Sequence, residues 1–418
     1  MSDNSVLFTN NLLYQLPVPV SVATNRTVKK QWFQNRQYDA GQTMTCLWNT
    51  GTDFIDHANS SLVFRVKVEG KENEAWTCGW GSGSAMNLVR NIRIYHRSGT
   101  VFTNTQKMNL YRKTTDNYVQ NEEWFKSVGQ LMGYTTKDPN TGLYPDIFSY
   151  ALPGVSDEIT FVIPLEKVHS FFDPEGGVFI PSNISSGLRV EIDLETPEIA
   201  LLNGGVEAGS PSGYKIIDCY FRTSSVSLMD SAQASINTSA QKQSLEYLYT
   251  DIFTSQNSHP GQNASVNLDI NKSVAFCNGA YCVTQDQTSL NNIGDDAMIC
   301  PYKTGSWWYS LGSNHYPNQK IEDSRIAYHN SLMVFDKLKH DFKNTSVTLQ
   351  QFNTENGIYS VTLERDTSLA LSASPVNASR ALRFELFYNQ PPDAQLVTCY
   401  MTYLTSARCT LLSARVDV

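Results

Sequence analysis

Residues 188–195 read LRVEIDLE, and the alternation is strict: Leu188, Val190, Ile192 and Leu194 fall on one side of an extended chain, Arg189, Glu191, Asp193 and Glu195 on the other. A period of two is what a strand requires when one face packs on a core and the other meets water. The same period runs through 61–68, 92–95, 159–163, 216–228, 266–270, 359–363, 382–388 and 396–404, with Gly, Pro, Asn and Ser clusters between them. The chain is expected to be all-β and mostly antiparallel. Helices should be short and few. Trp124, Val128, Leu131 and Met132 recur at helical spacing behind Glu122 and Glu123, with Glu122 one turn from Lys126, and further candidates cover 165–171 and 323–338.

At 418 residues the chain exceeds what one hydrophobic core serves, roughly 250–300 residues. A polar, Ala, Ser and Gln-rich stretch, SAQASINTSAQKQ at 231–243, has strand-rich chain on both sides and reads as a connector. The expected division is an arm at 1–40, a first β domain at 41–230, the connector at 231–243 and a second β domain at 244–418. The halves share no direct sequence repeat. Sandwiches and jelly rolls both fit the strand density.

Thirty-two Lys and Arg against 40 Asp and Glu give a net charge of -8, which excludes bulk phosphate neutralisation as the main task. Charged residues make up 17%, below the usual ~25%, and aromatics 11%, so apolar material suffices for a compact fold. The longest uncharged apolar-leaning stretch, 394–407, is interrupted by Thr398, Thr402 and Thr405 and is too short and polar to cross a bilayer as a helix. The opening MSDNSVLFTNNLLYQLPVPV lacks a cationic start and a continuous apolar run, so a reducing cytoplasm is the expected compartment. Eight cysteines show no CxxC pair and read mostly as small buried hydrophobes. Sequons at Asn25, Asn59, Asn183, Asn237, Asn263, Asn271, Asn344 and Asn377 follow from an Asn, Ser and Thr-rich composition.

There is no GxSxG turn to expose a serine and no HExxH to set two imidazoles on one helix face. GWGSGS at 79–84 lacks the GxGxxG spacing and a following Lys-Ser/Thr pair, so a flexible turn is expected there. Asp53, Asp56 and His57 could meet a metal, but so short a cluster reads first as a solvated turn. Glu191 and Asp193 lie two apart, roughly 7 Å along a strand, a separation compatible with an inverting carboxylate pair. Alternation instead turns them to solvent. Arg26, Lys29, Lys30 and Arg36 interleave with Trp32 and Phe33, a pattern that suits contact with a polyanion or membrane surface, or a strand docked on protein. Trp307, Trp308 and Tyr309 are adjacent, so on a strand they alternate faces and make no single stacking platform. No catalytic, cofactor-binding or metal site is expected.

Six stretches, in order, carry a resemblance: WNTGTDFID at 48–56, GSAMNLVRNIRIYHRSGT at 83–100, SGLRVEIDLE at 186–195, WYSLGSNHYPNQ at 308–319, GIYSVTLERD at 357–366 and RALRFELFY at 380–388. Together they resemble the double jelly-roll major capsid proteins of Polinton-like viruses and virophages. The resemblance implies two consecutive eight-stranded antiparallel jelly rolls, a non-enzymatic subunit, and a homotrimer whose six jelly rolls approximate a hexagon tiling an icosahedral shell. It implies as partners neighbouring capsomers, a penton protein, minor or cement proteins, and an internal membrane or genome reached through the arm residues Arg26, Lys29, Lys30, Trp32 and Arg36. The place implied is the virion, after synthesis in host cytoplasm or a virus factory. Long loops at 135–157, 196–213 and 285–305 are expected to touch other subunits or cover the outer surface. The alternatives are a jelly-roll carbohydrate-binding protein and, last, a glycoside hydrolase using Glu191 and Asp193.

Overall fold

The computed structural model describes residues 23–417 except 71–74, 138–143, 151–155, 175–176, 204–210, 243–244, 260–261, 271–272, 288, 292, 337–344, 364–373, 378–379, 391–396 and 413–414. Expectations for residues 1–22 lie outside the described residues.

The alternating segments form strands, and the strands form two sets of facing sheets. In the first set, Ala23–Trp32, Pro211–Leu228, Phe54–Gly70 and Glu158–Pro164 are neighbours in that order, with Tyr38–Asp39 added to Pro211–Leu228. Opposite them run Thr43–Leu47, Arg189–Leu194, Val89–Tyr95 and Val101–Thr105. In the second set the corresponding orders are Leu245–His259, Val397–Leu412, Val274–Asp286, Tyr359–Thr362 and Ser265–Ile270, Leu382–Tyr388, Gly305–Leu311, Asn314–Ile321. Each of these four paths takes its strands in the chain order first, fourth, second, third. All the ladders are antiparallel, as the hydrogen-bond registers show. The two halves therefore repeat one eight-strand topology without repeating a sequence. This is a double jelly roll.

Register explains the packing. Val190, Ile192 and Leu194 of Arg189–Leu194 are fully buried and sit opposite Ile94, Ile92 and Val89, also fully buried. Gly305–Leu311 places Trp307 and Tyr309 inward at 0% exposure and turns Trp308 out, as alternation requires. Buried apolar side chains from both halves form one cluster.

The helices are short. Glu122–Lys126 and Val128–Leu131 are separate pieces broken at Ser127, and Lys126 lies 3.5 Å from Glu122. The candidate at 165–171 splits into Leu165–Val168 and a 3-10 turn, Ser170–Phe172. Ser324–Asp336 is helical as expected, and the connector stretch is the helix Asp230–Lys242. The helix Met108–Val119 was not expected from its polar sequence MNLYRKTTDNYV. It lies in the same topological place as Ser324–Asp336, after the third strand of the four-stranded sheet. Asn109, Arg112, Lys113, Thr114 and Asp116 on it are all buried.

Asp116 is 0% exposed and anchors this helix: it accepts from Tyr134 Oη at 3.0 Å and Lys167 Nζ at 3.3 Å, with Arg112 Nη1 at 3.9 Å. Removing the carboxylate takes the counter-charge from the buried Arg112 and the half-buried Lys167. Asp116→Ala should cost about 3–5 kcal/mol of stability, read from urea unfolding.

Candidate functional site

The interleaved basic residues lie on or just after the edge strand Ala23–Trp32, paired along Pro211–Leu228 from Ala23↔Leu228 to Trp32↔Tyr220. Arg26 reaches Asp56 at 2.6 Å and Lys29 reaches Asp53 at 2.6 Å. Lys30 Nζ sits 4.2 Å from the Tyr220 ring centre and 5.3 Å from that of Trp32, and the Arg36 guanidinium lies 4.7 Å from Trp32. The structure thus brings all five residues to one edge, with each cation held by its own sheet. The first strand of the jelly roll, in topological terms, is this segment.

The same ion pairs engage the carboxylates at 53–57. Asp53 accepts from Lys29 and from Ser227 Oγ at 2.8 Å, and Asp56 accepts from Asn59 Nδ2 at 2.8 Å besides its pair with Arg26. Among the described residues no three His, Cys, Asp or Glu side chains gather as a metal site.

Glu191 and Asp193 are not a solvated face, contrary to the alternation reading. Their strand is central, and Arg93 on the neighbouring strand bridges both carboxylates, 3.1 Å from Glu191 and 2.8 Å from Asp193. Thr43 Oγ1 and Asn91 Nδ2 donate to Asp193 at 2.7 and 2.9 Å. Burial opposes ionisation of Asp193, but the donors from Thr43, Asn91 and Arg93 outweigh it and hold the carboxyl below the ordinary range. An acid so saturated with donors has no proton to give, so it lacks what a general acid needs.

The outward Trp308 is covered too. Its ring stacks on His315 at 3.8 Å, Lys320 lies 4.8 Å from its centre, and its Nε1 donates to Glu385 at 2.9 Å. GWGSGS is buried rather than flexible: Ser84 caps the 3-10 turn Ala85–Leu88, and Ser82 N–H donates to Asp296 of the second half at 2.8 Å. Six cysteines, Cys46, Cys78, Cys219, Cys277, Cys282 and Cys300, are buried free thiols.

What the structure assembles instead is a polar seam between the jelly rolls. Tyr247 and Tyr249 hydroxyls donate to the Phe171 and Phe102 carbonyls at 2.6 and 2.8 Å, and Thr254 donates to the Gln106 carbonyl at 3.0 Å. Helix Met108–Val119 adds Lys113 to the Glu355 carbonyl at 3.0 Å and Tyr118 to the Asn356 carbonyl at 2.6 Å. Burial pushes the Lys113 ammonium pKa down. Next to this helix a cleft of about 390 Å³ is lined by Asn117, Phe125, Tyr134, Lys137, Glu355 and others, with Lys137 paired to Glu355. The long loops contribute within the chain as well, Asn203 N–H donating to the Ile293 carbonyl at 2.9 Å.

No family model matches the sequence, and no curated protein matches it. Solved structures do. PBCV-1 VP54, fitted into a reconstruction of the virophage Sputnik, is 11% identical with a TM-score of 0.61 over 95% of this chain and 97% of that one. The Faustovirus major capsid protein is 7% identical with a TM-score of 0.64, covering 96% and 93% of the two chains. The chain in the 3.5 Å Sputnik virophage structure is 10% identical with a TM-score of 0.58, covering 98% and 92%. The fold is that of the double jelly-roll capsid proteins. Because coverage is nearly complete on both sides, the shared feature is the pair of jelly rolls and their arrangement, not one barrel.

His169 sits at the centre of the seam with 0% exposure. Its Nδ1 accepts from the Phe171 N–H at 2.9 Å, so the ring proton is on Nε2, which meets Thr105 Oγ1 at 2.9 Å; that hydroxyl donates on to the Ile252 carbonyl at 3.0 Å. Burial first, and Arg112 second, push the His169 pKa down to about 3. In the unfolded chain the imidazole titrates near 6.5, so below that pH the unfolded state takes up the proton and stability falls towards the folded value. The urea midpoint should therefore drop as pH goes from about 6.5 to 5, and His169→Asn, which keeps an acceptor but cannot titrate, should flatten that part of the curve.

Proposed function

We propose that this chain is the major capsid protein of an icosahedral virus, a structural subunit rather than an enzyme. The observation that carries the reading is the duplicated eight-strand topology, matched almost end to end by capsid proteins. Three chains would place six jelly rolls around one axis, giving a pseudo-hexameric capsomer that can tile a closed shell. Neighbouring capsomers, a penton protein and minor or cement proteins would be its partners in the virion, with the host cytoplasm or a virus factory as the place of synthesis.

Physical features support a role as building material. The charged side chains singled out from the sequence are spent on intrachain pairs, and the acids at 191 and 193 are locked by Arg93. For the carbohydrate-binding alternative, Trp308 offers no uncovered stacking platform. The working division keeps an arm at 1–40, a first jelly roll at 41–230, a connector at 231–243 and a second jelly roll at 244–418, with Ala23–Trp32 of the arm carried by the first jelly roll's sheet. Arg26, Lys29, Lys30, Trp32 and Arg36 would then face an internal membrane or genome only by giving up intrachain partners.

Light scattering on the purified protein tests the reading. Three chains of 46.8 kDa give a particle of about 140 kDa, the expected result, whereas a stable monomer at micromolar concentration would count decisively against it.

A further inference from the structure

The cleft beside the helix Met108–Val119 lies at one end of the molecule, and strand register fixes which. Tyr95 pairs with Val101 and with Arg189, Arg189 pairs with Leu47, and Phe54 a few residues later pairs with Val226. The hairpin joining Tyr95 to Val101 therefore shares an end with Leu228 and its partner Ala23. Val101–Thr105 runs away from that end and the helix follows it, so the cleft, bordered by Asn117 of this helix, opens at the opposite end.

Its two walls come from different jelly rolls and are tied to each other. Asn117 Nδ2 donates to Asn356 Oδ1 at 3.0 Å, and Ser346 Oγ donates back to the Asn117 carbonyl at 2.8 Å. On the second wall Thr348 and Gln351 close a capping box on the helix Leu349–Thr354. About 390 Å³ between such walls is within the range of small-molecule sites.

The chemistry of the lining narrows the ligand. Its four charged side chains cancel in pairs, Lys137 on Glu355 and Lys126 3.5 Å from Glu122. An ionic ligand would have to break one of these pairs, so the cleft suits an uncharged one. Phe125, Tyr134 and Tyr144 supply aromatic surface, the first two edge to face at 5.0 Å. Burial pushes the Tyr144 phenol up, so it stays a neutral hydroxyl. Thr135 Oγ1, also in the lining, is buried and has no hydrogen-bond partner among the described residues. A buried hydroxyl left unbonded costs stability until a water or a ligand meets it. A molecule that lays C–H groups on aromatic rings while offering hydroxyls to Thr135 and to the lining amides is a saccharide.

We propose that the cleft between the jelly rolls is a binding site for a neutral saccharide, hydrogen-bonded by Thr135 Oγ1 and packed against Tyr144, with both halves supplying wall. The site stands apart from the capsid reading, which neither needs it nor excludes it.

Saturation-transfer NMR and the thermal melt of the full-length protein test the site, with maltose, cellobiose, lactose and N,N′-diacetylchitobiose as probes. At least one of these should show saturation transfer and raise the melt, because a ligand held only by the folded state stabilises it. Thr135→Val deletes an unbonded hydroxyl, so it should leave the melt of the free protein unchanged or higher while weakening the sugar about tenfold. Tyr144→Leu should weaken it as well. Absence of transfer to all of the probes at millimolar concentration overturns the site, as does binding that both variants leave unaltered. Binding of sialyllactose or of tetra-alanine in preference to the neutral sugars overturns the ligand class.

Discussion

The structure depends on one constraint: the polar groups of the helix Met108–Val119 are buried, and a buried polar group must be bonded or the fold loses a large part of its stability. Lys113 and Tyr118 find backbone carbonyls at Glu355 and Asn356, which belong to the second jelly roll. Asp116 gathers Tyr134, Lys167 and Arg112 from the first. Neither half satisfies this helix alone. The two jelly rolls are consequently held at one relative position, set by partners that come from both of them.

Around that helix the seam is made mainly of neutral hydrogen bonds. Tyrosine and threonine hydroxyls donate to carbonyls, and His169 is kept uncharged between the Phe171 amide and the Thr105 hydroxyl. Such bonds are directional and little affected by salt, whereas exposed ion pairs such as those on the Ala23–Trp32 edge weaken as ionic strength rises. Between the halves the neutral bonds are joined by a few charged ones, among them Lys137 paired with Glu355 and Lys113 on the Glu355 carbonyl. Within the first half, Asp193 is saturated by donors and pins Arg189–Leu194 to Val89–Tyr95 and Thr43–Leu47.

Much of the fold was legible from residues 188–195 outward, because alternation reports directly which side chains face a core. The adjacent aromatics at 307–309 behaved as that rule demands. Other features were not legible. The helix Met108–Val119 carries Met108, Leu110, Tyr111, Tyr118 and Val119 as its apolar residues, too few and too irregular for a clear stripe, and a pattern reader takes its Asn, Arg, Lys and Asp residues for a solvent face. GWGSGS looked flexible because glycine usually is, yet Gly81 at φ +62° and the Asp296 carboxylate beside it hold the turn in a buried place.

Period-two patterning and composition together determined a β-rich chain with enough apolar material for a compact fold, since those properties depend on each residue's neighbours in sequence. That Ala23–Trp32 is the first strand of a sheet, that both halves share one strand order, and that a polar helix pins them together was decided only by tertiary structure. Each of these depends on partners about a hundred residues or more away, Trp32 on Tyr220 and Lys113 on Glu355, and local pattern holds no record of a distant partner.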